Sequence, residues 1–289
     1  MGTPQPNSGL TRSDSKTLSS EEKLMIRKLC IAAAACFLAL PEIAAAFCPP
    51  GLPQILDGAD RGDPDSEYVL GYIYMTGCYD HYDPAEAVKW WLKAAEQGNA
   101  NAQVALGGAY SSGEGTSRDY TEAARWFRVA AEHGDAQAQF ELGKAYYLGS
   151  GVIRDYREAV SWFRLSAAQG YAKAEAGLGL AYSTGSGVVQ NDYEAVSWWR
   201  KAAEKGDFDA QTFLGAAYAS GTGVVRDYAE SARWYRKAAD QGFAPSQTVL
   251  GTMYALGLGV EKNISKARYW LQTACGNGDQ NGCEFLNKL

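Results

Sequence analysis

The sequence is poor in the residues and motifs that most enzymes use. It holds only two histidines in 289 residues, His81 and His133. It has no G-x-S-x-G, H-E-x-x-H or phosphate-binding loop motif, and S-x-x-K occurs only within the first 24 residues. Paired cysteines could bind zinc, but a structural zinc site requires four ligands. The two histidines, which could supply the others, lie far apart in the chain. We therefore predict no catalytic residue, no metal site and no cofactor, and we interpret the chain as non-enzymatic.

An excess of basic charge is also missing. The chain has 27 Lys and Arg against 33 Asp and Glu, a formal net charge of -6. An acidic protein repels the phosphates of a nucleic acid backbone. We therefore predict no nucleic acid partner.

The chain lacks a hydrophobic run long enough to cross a membrane, which takes about 20 residues. Its longest apolar run, residues 29–40, has 12 residues. Arg27 and Lys28 precede this run, and three alanines at 44–46 follow it. A basic start, an apolar centre and an A-x-A ending are typical of a secretory signal peptide.

We predict that residues 25–46 are a signal peptide, cleaved after Ala46, and that the protein is periplasmic or secreted with no membrane span after cleavage. Translation would then start at Met25, and residues 1–24 would be a disordered or misassigned extension. A membrane anchor is the alternative, although Pro41 and the charge after it interrupt the run.

Cysteines are few, six in all. Cleavage would remove Cys30 and Cys36. The four that stay are Cys48, Cys78, Cys275 and Cys283. An even number in an exported chain predicts disulfides, with three connectivities open.

What the sequence has instead is an internal period of 36 residues. Three residue types keep this step through six units. The rows are Gly71, Gly107, Gly143, Gly179, Gly215 and Gly251; Trp90, Trp126, Trp162, Trp198, Trp234 and Trp270; and Tyr74, Tyr110, Tyr146, Tyr182, Tyr218 and Tyr254. Such self-similarity predicts a stack of structural repeats.

The first half of a unit predicts a helix, which we call helix A. In the third unit, Ala138, Leu142 and Tyr146 lie on one face at helical spacing. The recurrent glycine, Gly143 in this unit, costs about 1 kcal/mol in a helix interior relative to alanine. We predict that it permits a close helix crossing at which the large Trp and Tyr rings of the neighbouring helix pack.

The second half of a unit predicts a loop and another helix, helix B. Gly149 and Gly151 end helix A, and Asp155 with Glu158 predicts a capping box in which each side chain binds the other's backbone amide. Gly170 ends helix B. The recurrent tryptophans lie on the inward face of helix B, and we interpret them as core residues rather than as a sugar-stacking row.

Each hairpin has an apolar flank that only the next hairpin can cover, so we predict an all-α protein, an α-solenoid of six 36-residue hairpins with a capping helix at each end. The predicted boundaries are an extension at 1–24, a signal peptide at 25–46, a linker and capping helix at 47–65, repeats at 66–278 and a capping helix at 279–289.

The units share the pattern A-x-x-x-L-G-x-x-Y-x-x-G-x-G-V-x-x-D-Y-x-x-A-x-x-W-x-x-x-A-A-x-x-G, which resembles the Sel1-like repeat, a relative of the tetratricopeptide repeat. The stretch LGKAYYLGSGVIRDYREAVSWF fits it closely, whereas Tyr79 replaces the second loop glycine in the first unit. The resemblance implies a right-handed superhelix that serves as an adaptor and binds a protein or peptide partner on its concave side.

Some exported bacterial proteins of that family carry a C-x7-C pair that joins helix B of one unit to the following helix A. Cys275 and Cys283 match this spacing, three residues before and five after Gly278, and we predict that they bond. We also predict a bond between Cys48 and Cys78, because both would lie on one edge of the solenoid.

Three positions of helix A vary from unit to unit, at offsets of -3, +1 and +4 from the recurrent glycine. If helix A lines the concave wall, these positions face the partner. The predicted partner-binding residues are Tyr68, Tyr72, Met75, Phe140, Lys144, Tyr147 and Leu180. The alternative is that these side chains fill gaps between units.

Together these observations predict an exported, non-enzymatic scaffold that binds a protein partner on its concave helix-A surface, for example as a regulator of envelope signalling or assembly. The alternative is β-lactam binding or weak β-lactam hydrolysis, as the resemblance to cysteine-rich relatives would imply.

Overall fold

The computed structural model describes residues 48–289. The predicted extension at 1–24 and the predicted signal peptide at 25–46 lie outside the described residues. Within the described part there are fourteen α-helices and no strand. The helices are α1 (Leu52–Asp60), α2 (Pro64–Thr76), α3 (Pro84–Glu96), α4 (Ala100–Ser112), α5 (Tyr120–Glu132), α6 (Ala136–Leu148), α7 (Tyr156–Ala168), α8 (Ala172–Thr184), α9 (Asp192–Glu204), α10 (Phe208–Ser220), α11 (Tyr228–Asp240), α12 (Ala244–Leu256), α13 (Ile264–Gly276) and α14 (Gln280–Leu286).

The helices from α2 to α13 pair into six hairpins, which we number units 1 to 6 from α2/α3 to α12/α13. Each helix packs against the next one along the chain, α1 covers the first hairpin, and α14 packs against both helices of the last. The predicted all-α solenoid with a capping helix at each end is confirmed. None of the helices in residues 48–289 has the length and apolarity that a membrane crossing requires.

Helix B begins at an aspartate or asparagine whose side chain caps it. In unit 3, the Asp155 carboxylate accepts from the amides of Arg157 at 2.8 Å and Glu158 at 3.2 Å, as an N-cap should. The predicted reciprocal half of the capping box is wrong, because the Asp155 amide donates to the carbonyl of Tyr146 at 3.0 Å. This backbone bond ties the start of helix B to helix A of the same unit.

The second glycine of the loop between helix A and helix B, Gly151 in unit 3, is required because the backbone of the preceding unit lies close to it. Gly151 has φ +72°, and a Cβ there would lie 1.9 Å from the carbonyl oxygen of Tyr120, where helix B of unit 2 begins. In unit 1 the covering helix α1 begins only at Leu52, and Tyr79, in the place of the glycine, reaches the chain before that helix by donating from its hydroxyl to the carbonyl oxygen of Pro49. The backbone of Tyr79 has φ 58°.

The recurrent glycine of helix A does mark a close helix crossing. A Cβ on Gly143 would lie 2.7 Å from Cδ1 of Phe163 and 3.1 Å from the carbonyl oxygen of Ala159. The side chain that packs on the glycine, here Phe163, comes one residue after the recurrent tryptophan. The predicted packing partner is therefore wrong by one position. Across the units this position holds Trp91, Phe127, Phe163, Trp199, Tyr235 and Leu271.

The tryptophan row itself fills the spaces between units. Trp126, Trp234 and Trp270 are each less than one-tenth exposed, and Trp126 packs in one cluster with Trp91 of the preceding unit and Leu106 of its own unit. The predicted core position is confirmed for these three, whereas Trp90, Trp162 and Trp198 are only partly buried. The tyrosine row adds polar links between units, since an arginine of the preceding helix B donates to each hydroxyl in units 3 to 6, as Arg200 does to Tyr218 at 3.0 Å.

A disulfide fixes the C-terminal helix. Cys275 on α13 bonds Cys283 on α14, with a Cα–Cα distance of 4.7 Å, which confirms the predicted pair. Closing so short a loop stabilises the folded chain by about 2.5 kcal/mol in the chain-entropy model. Cys48 and Cys78 are both disulfide-bonded as well, and their bond to one another stays a prediction.

Candidate binding groove

An open groove crosses helices α6, α8 and α10, the A helices of units 3 to 5. Its volume is about 510 Å³, within the range of roughly 300 to 1,000 Å³ that ligand sites occupy. The side chains that line it are mostly apolar or aromatic. They are Phe140, Glu141, Lys144, Tyr147, Leu148, Phe163, Lys173, Ala176, Gly177, Leu180, Asp207, Phe208, Asp209 and Phe213.

The groove exists because the middle unit has small residues where its neighbours have large ones. Unit 4 presents Ala176 and Gly177, whereas unit 3 has Phe140 at the place of Ala176 and unit 5 has Phe213 at the place of Gly177. A Cβ on Gly177 would lie 3.3 Å from the ring of Phe163. The glycine thus leaves this ring as the apolar floor.

Aromatic stacking fixes the two walls. On the unit 3 side, the ring of Phe140 stacks on Phe163 with centroids 5.7 Å apart, and Tyr147 meets the same ring at 6.4 Å. On the unit 5 side, Phe213 stacks on Trp199 at 5.2 Å. Walls held in this way lose little side-chain entropy when a partner binds.

The structure separates the predicted partner-binding residues into two groups. Four of them line the groove, namely Phe140, Lys144, Tyr147 and Leu180. The other three, Tyr68, Tyr72 and Met75, lie on α2 of unit 1, outside the groove. Tyr68 and Met75 pack, partly buried, against the core of units 1 and 2, as the gap-filling alternative describes, while Tyr72 is 39% exposed. Phe140 and Tyr147 also pack, partly buried, against the core of units 3 and 4.

Sequence reasoning missed the unit 5 wall and the charged rim. Phe208 and Phe213 are more than one-third exposed in the groove, but neither lies at the three offsets from the recurrent glycine that define the predicted row. A comparison of every helix A position across the units would have found Phe213, since the same place holds valine, alanine, glutamate or glycine in the other units.

The rim of the groove carries charges of both signs. Lys144 pairs with Glu141 at 3.1 Å. Asp207 caps α10 by accepting from the amide of Ala210 at 2.8 Å. Burial raises the pKa of Asp207, despite this hydrogen bond and the nearby Lys173. Burial, followed by the charge of Asp207, also raises the pKa of Asp209.

Beside the groove, burial raises the pKa of Tyr171 to about 12, with further contributions from nearby acidic groups. The Tyr171 hydroxyl therefore stays protonated at neutral pH. Within residues 48–289 no three His, Cys, Asp or Glu side chains are grouped so that they could hold a metal ion.

A second exposed apolar row lies at the loop tips, away from the groove. Ile153, Val189 and Val225 occupy the same place in units 3 to 5 and are 91%, 88% and 88% exposed. Because these side chains touch little of the protein, they can be changed without disturbing the core.

The sequence matches the family model described as Sel1 repeat over six consecutive stretches, at residues 64–99, 100–135, 136–171, 172–207, 208–243 and 244–279. A search of curated proteins found no match. Among solved structures, a Sel1 repeat protein from Oxalobacter formigenes is 35% identical, with a TM-score of 0.70, over 87% of this chain and 95% of that one.

A second similar structure is c5321, described as a protective antigen present in uropathogenic Escherichia coli strains that displays an SLR fold. It is 37% identical, with a TM-score of 0.73 over 83% of this chain. This chain spans 51% of the length of that protein. The immunity protein Pa5087 from Pseudomonas aeruginosa, at 16% identity and a TM-score of 0.51, shares the fold alone.

Proposed function

We propose, on the premise that this chain belongs to the Sel1 repeat family, that it is an exported scaffold that binds a segment of a partner protein in the groove of units 3 to 5. The family consists of helical scaffolds that typically bind proteins. The observation that carries the proposal is the groove itself, where the periodic array is interrupted by small residues in unit 4 between aromatic walls.

The composition of the groove favours binding over catalysis. Its lining has no serine, threonine, cysteine or histidine, so it offers no aliphatic hydroxyl or thiol nucleophile and no imidazole base. Stacked aromatic side chains beside a concave surface are instead typical of residues that dominate protein interfaces. We assign the groove to recognition and assign no reaction to it.

Export is supported by two features. The disulfide between Cys275 and Cys283 fits an oxidising compartment, since disulfides are rare where thiols are kept reduced. The similar Escherichia coli protein is described as a protective antigen, and by similarity we propose that this chain leaves the cytoplasm.

Capture of partners from an envelope extract tests the groove. We expect the immobilised full chain to retain a specific protein, and we expect Phe140→Ser with Tyr147→Ser to reduce its recovery by about tenfold or more, because truncating aromatic anchors commonly costs over 1 kcal/mol each. Mass spectrometry with quantitative labelling measures the recovery.

The matched control replaces exposed apolar side chains outside the groove, Ile153→Ser with Val189→Ser, and should leave recovery unchanged. Since Phe140 and Tyr147 also pack on Phe163, a third variant, Phe213→Ser, changes a ring that is already 36% exposed. Unaltered recovery by both groove variants would remove the assignment.

A further inference from the structure

We infer that the groove selects a partner segment in which a bulky apolar side chain stands close to a basic side chain. The apolar side chain would enter over Gly177, and the lysine or arginine would meet Asp207 and Asp209 on the rim. This inference rests on the proposed function and specifies the chemistry of the partner.

The apolar part follows from the shape of the groove. The space over Gly177 is floored by Phe163 and walled by Phe140 and Phe213, so water that enters it has almost only apolar surface to contact. Displacing such water with an apolar group is favourable by about 25 cal/mol per Å² of surface buried. An aromatic or leucine side chain fits this role better than a small or polar one.

The basic part follows from the charges on the rim. The groove is lined by three carboxylates and two lysines. Lys144 is already paired with Glu141, and among residues 48–289 no ion pair includes Lys173. Asp207 and Asp209 therefore share a single lysine that makes no direct contact with either.

Partial loss of water raises the pKa of Asp207, which is half-buried, and that of Asp209, whose side chain stays exposed at the rim. A guanidinium or ammonium group from the partner would stabilise their charged form. A partner carboxylate in the same place would face two like charges at short range, which disfavours acidic segments. The rim thus discriminates between partners by charge.

Selection from a phage-displayed library of random peptides tests this inference on the full chain. We expect enriched peptides to carry an aromatic residue or leucine within a few positions of lysine or arginine. Filling the space with Gly177→Leu should lower the recovery of these peptides by at least about tenfold. Removing one of the two carboxylates with Asp209→Asn should weaken the preference for a basic residue.

The chain offers a matched control for the filled groove. Gly108 also lies inside an A helix, where it is exposed while Gly177 is half-buried, and a Cβ on Gly108 meets nothing within 4 Å. Gly108→Leu therefore gives the same gain in helix propensity, about 1 kcal/mol, without touching the groove, and should bind as the unchanged chain does. Asp209→Asn leaves the core intact, so it tests the charge even if Gly177→Leu is less stable.

Three results would overturn the inference: enriched peptides with acidic residues or with no charge preference, recovery unaffected by Gly177→Leu, or no enrichment over an unrelated immobilised protein. The capture experiment separates this failure from that of the proposed function. Suppose that changing Phe140 and Tyr147 still abolishes capture of the natural partner, while the enriched peptides show no preference for basic residues. The groove is then still the binding site, and only the proposed preference for a basic partner is wrong.

Discussion

Replacing Gly143 by leucine is expected to lower the free energy of unfolding by about 3 kcal/mol, near the upper end of the usual cost of overpacking a core. The first added carbon would lie 2.7 Å from the ring of Phe163, and the carbonyl of Ala159 is 3.1 Å away on the same side. The helices would have to separate, because one of the two contacts is backbone. The gain in helix propensity, about 1 kcal/mol, offsets only part of this cost.

Urea denaturation followed by circular dichroism measures the effect, with Lys144→Ala as the control on the adjacent residue. Lys144 is exposed and its ion pair with Glu141 lies at the surface, so the control should change stability by less than about 1 kcal/mol. Equal midpoints for the two variants would show that the glycine does not determine the crossing.

The second large effect is expected for Gly151→Ala, at the contact between units 2 and 3. Its positive φ costs an alanine about 1 to 2 kcal/mol, and a Cβ there would lie 1.9 Å from the carbonyl oxygen of Tyr120. Since that oxygen belongs to the start of α5, the loop has to move away from the preceding unit. We expect this displacement to lower the free energy of unfolding by a further amount of about 2 to 3 kcal/mol.

Gly134→Ala isolates the cost of the backbone angle, because Gly134 has φ +93° and a Cβ there meets nothing within 4 Å. In a solenoid, stability is a sum over units and their interfaces. Gly151→Ala should therefore also split unfolding into two steps, with units on either side of the weakened contact melting separately. Stability no lower than that of Gly134→Ala, in one transition, would contradict the proposed loop contact.

The helix pattern could be predicted from the sequence because it depends on local signals. Asp155 is followed by a helix since its side chain caps two amides within three residues, and Gly149 ends a helix through its own φ of +75°. The predicted hydrogen bond from the Asp155 amide to the Glu158 side chain was wrong, because this amide donates instead to the carbonyl of Tyr146, nine residues before Asp155. Local patterns do not reveal such a competitor.

The groove depends on contacts between side chains of adjacent units at positions where the units differ. A pattern that describes what all units share does not contain these differences. The predicted row includes Phe140 and Tyr147, which line the groove, and treats Tyr68 and Met75 as equivalent to them. All four side chains pack, partly buried, against core clusters, and what distinguishes the unit 3 pair is the neighbouring Gly177, which leaves space over the ring of Phe163. Depth arises from the difference between adjacent units, which a rule shared by all units cannot predict.

Site-specific photocrosslinking tests the central claim, that a partner protein occupies the groove, most directly. Benzoylphenylalanine placed at Leu180, inside the groove, should crosslink a discrete partner from an envelope extract, while the same probe at Val189, 88% exposed on the loop edge, should not. Crosslinks from position 189 and none from position 180 would contradict the claim and place the partner on the edge of the solenoid.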